Sequence, residues 1–266
     1  MSEIFEVLAI RYAHSARRSP ENFIGGDPHD APMPLDYFVW VLRSDRRTVV
    51  VDTGFGEDQA RERGRELIHP VADGLAAAGV DPSSVEDVII THMHYDHAGN
   101  NALFQNARFH LQDSEMGFAT GRCMCHPHAN HPYNCDDVVG LVRRVYAGQV
   151  TFHDGDSELV PGITLHHVGG HSRGLQCVRV ETARGPVVLA SDATHHYRHY
   201  QEGRVFPTCD NVSDALLGYD KLRRLGRPDQ IVPGHDPEVM ARYPAFTAGT
   251  DGWIAKLDVA PRAVEG

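Results

Sequence analysis

Four side chains of metal-binding type stand close together about a third of the way along the chain. They are His92, His94, Asp96 and His97. The apolar residues 88–90 predict a strand just before them, so alternation would place the first three side chains on one side of an extended chain. A turn after Asp96 would then bring His97 to the same place. Imidazole and carboxylate groups at a strand end suit zinc, iron, manganese or cobalt, which favours a metal site over a solvated histidine-rich loop.

Three further residues of the same chemical types follow apolar strands elsewhere in the chain. Each stands directly after two residues that are small or proline: His171, Asp192 and His235. Alone, such a histidine would be an ordinary hydrogen-bonded side chain, and such an aspartate a turn or cap residue. With the first four they make seven potential ligands, whereas a catalytic site for one metal uses three or four. Seven ligands, one of them a carboxylate able to bridge, predict two metals about 3.5–4 Å apart.

Composition limits the classes of partner. The chain has 266 residues, a hydrophobic content of 41% and a formal net charge of −11. That charge disfavours nucleic acid as the main partner, because binding to phosphates requires surplus Lys and Arg. No apolar run approaches the roughly 20 residues of a membrane span, and residues 1–6 lack the features of a signal peptide. We therefore expect a cytoplasmic protein that acts on a small molecule, with a homodimer left open.

Runs of apolar residues predict alternating strands and helices. Strands are expected at residues 5–12, 37–42, 48–52, 85–90, 108–112, 150–153, 163–168, 175–182, 186–190 and 231–232. Helices are expected at residues 61–80, 101–104, 113–122, 136–146 and 213–225, and loops at residues 13–36 and 123–135. Each half of the chain is a run of strands followed by helices. This layout predicts a single domain over residues 1–266, an α/β sandwich with helices outside.

Three of the five cysteines, Cys123, Cys125 and Cys135, cluster in the predicted loop 123–135. An odd number of cysteines in a chain expected in the cytoplasm disfavours a disulfide framework. A structural zinc site is one interpretation, but the Cys-x-Cys spacing matches no standard zinc motif, and free thiols in a loop near the site are favoured. A cysteine nucleophile is disfavoured because the sequence pairs no base with a thiol.

The segment at residues 91–99 resembles the His-x-His-x-Asp-His motif of the metallo-β-lactamase superfamily. Other motifs of that superfamily have counterparts in the same order: Asp52-Thr53-Gly54, Gly170-His171-Ser172, Ser191-Asp192-Ala193 and Pro233-Gly234-His235-Asp236. The resemblance spans about residues 36–240. The full set, with Asp96 and Asp192, is similar to N-acyl homoserine lactonases and related dimetal lactonases, and not to the zinc β-lactamases that hydrolyse antibiotics. It implies an αββα sandwich of two mixed β-sheets with outer helices.

The resemblance also implies a role for each ligand. His92, His94 and His171 would hold one metal, Asp96, His97 and His235 would hold the second, and Asp192 would bridge the two. Asp52 would orient a ligand imidazole, as metal sites require. The implied cofactors are two divalent ions, with Zn²⁺ expected first and manganese, iron or cobalt as alternatives.

Two such ions would make hydroxide available near pH 7, and the hydroxide would attack a carbonyl carbon. The expected reaction is the opening of a small lactone ring of the N-acyl homoserine lactone type, with Asp96 or His195 supplying a proton to the leaving oxygen. The best-known lactonases carry a tyrosine three residues after the bridging aspartate, and this chain has His195 there. Tyr197 could instead supply the phenol from a shifted register.

Other functions would use the same ligands. The main alternative is a dimetal hydrolase of another small ester, a cyclic amide or a phosphodiester. A glyoxalase-type thioesterase is disfavoured because the tail at residues 249–266 is short and only mildly basic. A flavin-dependent di-iron protein would need a partner domain for which this length leaves no room, and a metal store would have a loose site without hydrolysis.

Several apolar residues are candidates for the substrate pocket: Tyr37, Phe38, Trp40, Phe118 and Met124. Core packing is the alternative for each, and alternation places Phe38 and Trp40 on the face opposite Tyr37. His166 and His167 lie inside a predicted strand and are interpreted as packing or supporting groups.

Overall fold

The computed structural model describes residues 2–263, which form two stacked β-sheets with helices on the outside. The strands of this part of the chain are β1 (Glu6–Ser15), β2 (Leu35–Arg43), β3 (Thr48–Val51), β4 (Glu66–Leu67), β5 (Asp87–Ile89), β6 (Arg108–Gln112), β7 (Val150–His153), β8 (Ser157–Val160), β9 (Ile163–His167), β10 (Gln176–Thr182), β11 (Gly185–Ser191), β12 (Ile231–Pro233) and β13 (Ile254–Lys256).

The α-helices of the described residues are short. They are α1 (Glu57–Arg63), α2 (Val71–Ala77), α3 (Tyr95–Ala98), α4 (Asp113–Ala119), α5 (Pro127–Asn130), α6 (Cys135–Tyr146), α7 (Tyr197–Glu202), α8 (Val212–Leu225) and α9 (Glu238–Arg242). Single 3-10 turns lie at Ser19–Asn22, Pro82–Ser84, Asn101–Leu103 and Arg122–Cys125. Over residues 2–263, no helix has the length and apolar character needed to cross a bilayer.

Both sheets are mixed, as the sequence predicts. The first sheet has the order β13-β1-β2-β3-β5-β6-β7, with β4 beside β1. Its strands pair antiparallel from β13 to β3 and parallel from β3 to β7. The second sheet has the order β12-β11-β10-β9-β8 and is parallel only between β11 and β12.

Alternation along β2 divides its apolar residues between two cores. Phe38 and Trp40 are buried in a cluster with Leu165 of the second sheet, so this cluster joins the two sheets. Val39 and Val41 enter a second cluster, to which helices α2 and α6 contribute. Burial of side chains of this size contributes about 1.5–3 kcal/mol each. The result is the αββα sandwich expected from the sequence.

The helix predicted at residues 61–80 is wrong, because the segment contains two helices. α1 ends at Gly64, whose φ of 62° is left-handed, and the short strand β4 follows. α2 begins only after Pro70. The apolar residues keep a helical spacing across the break, so spacing alone joins elements that Gly64 and Pro70 separate.

Other segments contain more regular structure than the sequence predicts. β1 continues to Ser15, so the loop expected at residues 13–36 begins later and includes the turn Ser19–Asn22. The loop expected at residues 123–135 contains helix α5. The sequence pattern also misses strand β8, whose four residues are only partly buried and show no clear alternation.

Candidate metal centre

The loops that follow five strands meet at one edge of the sandwich. β3 and β5 are parallel neighbours in the first sheet, so the residues after them, Asp52 and His92, lie at the same edge. β9, β11 and β12 run in a common direction in the second sheet, and His171, Asp192 and His235 follow them. The topology therefore brings together residues that are far apart in the chain.

The segment that carries the first four candidate ligands is not extended throughout, which corrects the prediction. Asp96 and His97 lie on the one-turn helix α3, and His94 is its N-cap residue. β5 ends before His92, so the ligands lie in the loop and helix that follow the strand. Alternation along a strand accounts for none of the four, and the helical turn turns Asp96 and His97 towards His235.

Three buried imidazoles form a first group. His92 Nε2 lies 3.0 Å from His94 Nδ1, and His171 Nε2 lies 2.9 Å from the same His94 nitrogen. Bonds of about 2.0–2.1 Å place the nitrogen ligands of one tetrahedral zinc ion about 3.3 Å apart. The spacing of the three nitrogens therefore suits a single shared cation.

Asp96, His97 and His235 form a second group. Asp96 Oδ2 lies 3.7 Å from His97 Nε2 and 3.8 Å from His235 Nε2. All three residues are buried. Two imidazole nitrogens and one carboxylate oxygen are thus within reach of one ion.

Asp192 lies between the two groups and presents one oxygen to each. Its Oδ1 lies 2.9 Å from His235 Nε2 and 3.3 Å from His97 Nε2. Its Oδ2 lies 3.1 Å from His171 Nε2 and 3.9 Å from His92 Nε2. A carboxylate that bridges two cations requires this arrangement.

Unpaired polar atoms favour cations over a purely hydrogen-bonded cluster. Among residues 2–263, His97 Nε2 and Asp192 Oδ1 are buried and make no well-aligned hydrogen bond, although they lie 3.3 Å apart and His235 Nε2 lies 2.9 Å from Asp192 Oδ1. A buried polar atom without a partner costs about 1–3 kcal/mol. Imidazole and carboxylate groups are the ligands that zinc and similar ions prefer. The residues present therefore fit two divalent metals.

The two groups differ in protonation. Burial lowers the pKa of His92 and His94 well below the ordinary value, and neighbouring imidazoles lower it further, so these rings are neutral. Burial opposes the charge on His97 and His235 as well, but the carboxylates of Asp192 and Asp96 outweigh it and raise the pKa of both. A cation that binds the second group must therefore displace protons.

Hydrogen bonds to the other ring nitrogen hold both imidazoles of the second group. His97 Nδ1 lies 2.7 Å from Asp52 Oδ2, and His235 Nδ1 donates to Asp36 O at 2.9 Å. Asp52 also accepts hydrogen bonds from Thr91 N and Thr91 Oγ1, at 2.7 and 2.8 Å. Such bonds set the tautomer and the ring orientation of a metal ligand. The contact expected between Asp52 and a ligand imidazole is present.

Two residues beside the site have strained backbones. Asp52 and Ser191 have φ values of 60° and 46°, and over residues 2–263 they are the non-glycine residues with positive φ. A left-handed conformation costs such a residue about 1–2 kcal/mol. Thr91 Oγ1 contacts both side chains, at 2.8 Å from Asp52 Oδ2 and 2.9 Å from Ser191 Oγ. The strain is thus located where the ends of β3 and β11 meet.

His195 lies beside the proposed bridging carboxylate. Its Nε2 lies 3.0 Å from Asp192 Oδ2, and its ring stacks on Phe206 with centroids 3.6 Å apart. His171, Asp192 and His195 also form a further group of ligand-type residues. Tyr197 lies instead in the hydrophobic core, with the Arg242 guanidinium 4.0 Å from its ring centroid. The interpretation that Tyr197 reaches the site is therefore wrong, because it starts helix α7 and points into the core.

Sequence reasoning missed a buried carboxylate that connects two ligand loops. Glu115 accepts hydrogen bonds from Met93 N at 2.8 Å, Gly174 N at 2.9 Å and Tyr133 Oη at 3.1 Å. A Cβ atom on Gly174 would lie 2.2 Å from Glu115 N, so the close approach requires glycine there. Nothing in the local pattern distinguishes Glu115 from a surface glutamate of helix α4.

The ligand cluster opens into two cavities. The smaller has a volume of about 80 Å³ and is lined by five of the seven candidate ligands, all except His92 and His97. Tyr37, Phe206 and three arginines, Arg17, Arg63 and Arg65, also line it. The larger, of about 650 Å³, shares His94 and His171 with the smaller and is also lined by Phe118, Tyr133 and Pro207.

The predicted pocket residues divide between these cavities and the cores. Tyr37 lines the smaller cavity and Phe118 the larger. Phe38 and Trp40 belong to the core between the sheets, and Met124 packs against the other core. Core packing therefore accounts for the last three.

The remaining predicted groups lie outside the ligand cluster. Cys123, Cys125 and Cys135 are free thiols, and no group of ligand-type residues in the described part of the chain includes a cysteine. The structural zinc interpretation is therefore not supported. His166 contacts Asp156, and His167 contacts a backbone carbonyl, so both are supporting groups on β9.

Comparison with known proteins gives matches that share this fold. Residues 33–235 match the family model described as Metallo-beta-lactamase superfamily. An N-acyl homoserine lactonase from Bacillus sp is 26% identical over 223 residues, which cover 77% of this chain and 83% of that protein. The solved structure of a quorum-quenching N-acyl homoserine lactone lactonase has a TM-score of 0.74 at 23% identity, covering 89% of this chain and 94% of that chain. AidC, a dizinc quorum-quenching lactonase, has a TM-score of 0.70 at 16% identity, covering 100% and 97%.

Proposed function

The chain belongs to the metallo-beta-lactamase superfamily as a metal-dependent hydrolase, and we propose that it opens the ring of a small lactone of the N-acyl homoserine lactone type. The observation that carries the proposal is the position of Asp192, with one carboxylate oxygen facing each of two ligand groups. The name of the Bacillus relative, a lactonase at 26% identity, supports the substrate class.

We assign the ligands of two divalent ions to these groups. His92, His94 and His171 would hold one ion, Asp96, His97 and His235 the other, and Asp192 would bridge them. When bound, the two ions lower the pKa of a water molecule and polarise the lactone carbonyl. The donor set favours zinc and accommodates manganese, iron or cobalt. A dizinc centre in AidC, which has the same fold, is consistent with zinc.

The side chains of the site then move protons and orient the substrate. Water adds to the carbonyl carbon, the ring C–O bond breaks, and the leaving oxygen takes up a proton to give a hydroxy acid. Asp96 Oδ2 is the candidate to carry that proton from the attacking water to the leaving oxygen. Burial lowers the pKa of His195 well below its ordinary value, so its ring is neutral. Its Nε2 faces Asp192 Oδ2 at 3.0 Å, and once that oxygen binds a metal, the Nε2–H would be available to donate to a substrate oxygen.

A substrate panel tests the proposal. The metal-loaded chain is expected to release acid from N-acyl homoserine lactones, measured by titration at constant pH. Bis-p-nitrophenyl phosphate and a glutathione thioester serve as substrates for the alternative phosphodiesterase and thioesterase functions. A fully metallated protein that turns over either of these and no lactone would overturn the proposed substrate class.

A variant of His195 tests its assigned role. H195Q is expected to lower kcat on a lactone by roughly 10²-fold, the lower end of what a positioned proton donor contributes. The metal content of H195Q should equal that of the parent protein, because His195 is assigned to the substrate and not to a metal. A parallel loss of metal would show that His195 is a ligand.

A further inference from the structure

Three arginines line the smaller cavity beside the candidate metal ligands, in a chain whose net charge is −11. Arg17 comes from the segment after β1, Arg63 from the end of α1, and Arg65 from the residues that follow it. Two segments of the chain, one after β1 and one at the end of α1, therefore place positive charge at this point. Because the chain as a whole is acidic, its composition alone would not place three arginines around one small cavity.

Within residues 2–263, these guanidinium groups have no ion-pair partners. In the described part of the chain, no carboxylate oxygen lies within 4.0 Å of the nitrogens of Arg17, Arg63 or Arg65. By contrast, Arg61, which lies on the same helix as Arg63, forms an ion pair with Asp58. The cavity arginines thus keep their charge available to a ligand.

The hydrogen bonds of the three side chains end on neutral groups. Arg63 donates to the carbonyls of His131 and Tyr133, and Arg65 donates to Tyr95 Oη at 3.1 Å and Ser15 Oγ at 3.2 Å. These bonds hold the guanidinium groups in place without neutralising them.

Arg17 has the strongest need of a partner. It donates from Nη2 to Glu21 O at 2.6 Å, while its Nε is buried and makes no hydrogen bond within residues 2–263. Burial lowers the pKa of the guanidinium, although the side chain as a whole is only half-buried. A buried charged donor without a partner is costly, and a ligand carboxylate that accepts two parallel hydrogen bonds would relieve the cost.

The two carboxylates of the cavity do not offset these charges. Asp96 and Asp192 line the same cavity, but both are assigned to metals in the proposed function. Bound cations would add to the positive potential that the arginines create. An uncharged lactone would gain nothing from that potential, whereas an anionic group would be attracted to it.

We propose that the substrate is a lactone that carries a carboxylate, and that Arg17 and Arg65 bind this carboxylate in the smaller cavity. This inference rests on the proposed lactone-opening activity and predicts that a lactone carrying a carboxylate is a better substrate than an uncharged N-acyl homoserine lactone. The larger cavity, with Phe118, Tyr133 and Pro207, then remains for an uncharged part of the substrate. The volume of about 80 Å³ in the smaller cavity suits a group of carboxylate size, with the rest of the lactone directed towards the larger cavity.

The test compares two matched lactones with the metal-loaded protein. One is 5-oxotetrahydrofuran-2-carboxylate, and the other is its uncharged carboxamide, which has nearly the same shape. The parent protein is expected to show a kcat/KM at least tenfold higher for the carboxylate. R17M and R65M should each lower the ratio of kcat/KM for the carboxylate to kcat/KM for the carboxamide at least tenfold. Two variants are used so that the test remains valid if one of them fails to fold. R61M, on the same helix as Arg63 and exposed, should keep the ratio of the parent.

The ratio separates substrate recognition from other roles of the arginines. If the arginines bound only the carboxylate of the product, R17M and R65M would lower both rates equally and the ratio would not change. An unchanged ratio, or a parent protein that prefers the carboxamide, would overturn the proposal.

A binding measurement distinguishes failure of this inference from failure of the lactonase function. Cyclopentanecarboxylate and cyclopentanecarboxamide cannot be hydrolysed as lactones, and calorimetric titration of each into the metal-loaded protein measures the charge preference directly. The carboxylate is expected to bind at least tenfold more tightly, and R17M and R65M to remove that preference. Carboxylate binding that both variants retain would come from the metals alone and would contradict the assigned role of the arginines, whatever the activity on lactones.

Discussion

At the scale of single residues, Asp52 orients the proposed metal ligand His97 without being a ligand itself. Its Oδ2 lies 2.7 Å from His97 Nδ1, and its carboxylate accepts two hydrogen bonds from Thr91. The backbone of Asp52 is strained, with a φ of 60°, in the conformation that makes these contacts. The carboxylate both orients the His97 ring and raises the basicity of its free nitrogen.

D52N should therefore weaken the second metal site. The amide keeps the shape of the side chain but removes the negative charge, and loss of such a partner lowers metal affinity by about 10–100-fold. Titration of the apo protein with zinc against a competing chelator measures the effect. D58N, at an exposed position of α1, is the control. Equal affinity in D52N and the parent protein would contradict the role assigned to Asp52.

Glu115 acts on the ligand loops through their backbone. Its two oxygens accept the N–H groups of Met93 and Gly174, which lie in the loops that carry the first group of ligands. In E115Q the side-chain amide must face one of these N–H groups, donor against donor. We expect the free energy of unfolding to fall by about 1–3 kcal/mol, the cost of an unsatisfied buried polar group. Urea denaturation measures it, and E57Q on the surface of α1 should cause no comparable loss.

The sequence was sufficient to predict a ligand set because His and Asp recur after several apolar strands. His92, His171 and Asp192 stand out as members of a set of seven ligand-type residues, whereas each alone would be an ordinary hydrogen-bonded or capping residue. Glu115 could not be predicted, because a glutamate in the first turn of a helix is common and its burial arises from two distant loops. The choice between His195 and Tyr197 depended on where α7 begins, and sequence patterns locate helix starts poorly.

At the scale of elements, helix α7 is attached to the turn Ser19–Asn22 by a neutral histidine. His199 Nε2 donates to Asn22 O at 2.8 Å, and its Nδ1 accepts from His196 N at 3.1 Å. Burial lowers the pKa of His199 to about 4. Protonation would replace the acceptor Nδ1 with a donor and break the second bond.

The lowered pKa of His199 makes stability depend on pH in a defined direction. The unfolded chain takes up a proton near the ordinary pKa of about 6.5, while the folded chain resists it down to about 4. The stabilisation from this group is therefore present above pH 6.5 and is lost as the pH falls towards 4. Between pH 7.5 and pH 5 the loss amounts to about 2 kcal/mol.

H199Q should remove that part of the pH dependence, because glutamine can donate and accept hydrogen bonds without titrating. Urea denaturation at pH 7.5 and pH 5 measures the difference for each protein, so a general loss of stability in the variant cancels. H29Q, a change at an exposed histidine, should retain the dependence of the parent. A variant with the same pH dependence as the parent would show that His199 does not titrate as described.

Element boundaries show what local patterns can predict. The hairpin of β2 and β3 is confirmed because both strands are continuous apolar runs on either side of a polar turn. The helix predicted at residues 61–80 is wrong because Gly64 and Pro70 interrupt it. The apolar residues keep a helical spacing across the break only because all of them pack against the core. The candidate ligands at residues 92–97 lie in a loop and a helical turn, and not along one extended strand. This shape divides their side chains between the two ligand groups.

At the scale of the whole molecule, the direction of the strands creates the centre. β3 and β5 end at the same edge as β9, β11 and β12, so both sheets supply ligands. The sequence predicted the sandwich because strand and helix patterns repeat in each half. The pairing order of the strands, and hence the positions of the three cavity arginines, depends on contacts between distant segments that no local pattern contains.

The central claim is that two cations bind side by side, with Asp192 between them. Native mass spectrometry of the intact chain, titrated with zinc from the apo state, measures the number of ions bound. We predict two ions per chain in the parent protein and a selective loss of one or both in D192N, with D58N as the control. A parent protein that binds a single ion at saturation, or a D192N variant that still binds two with the affinity of the parent, would contradict the account.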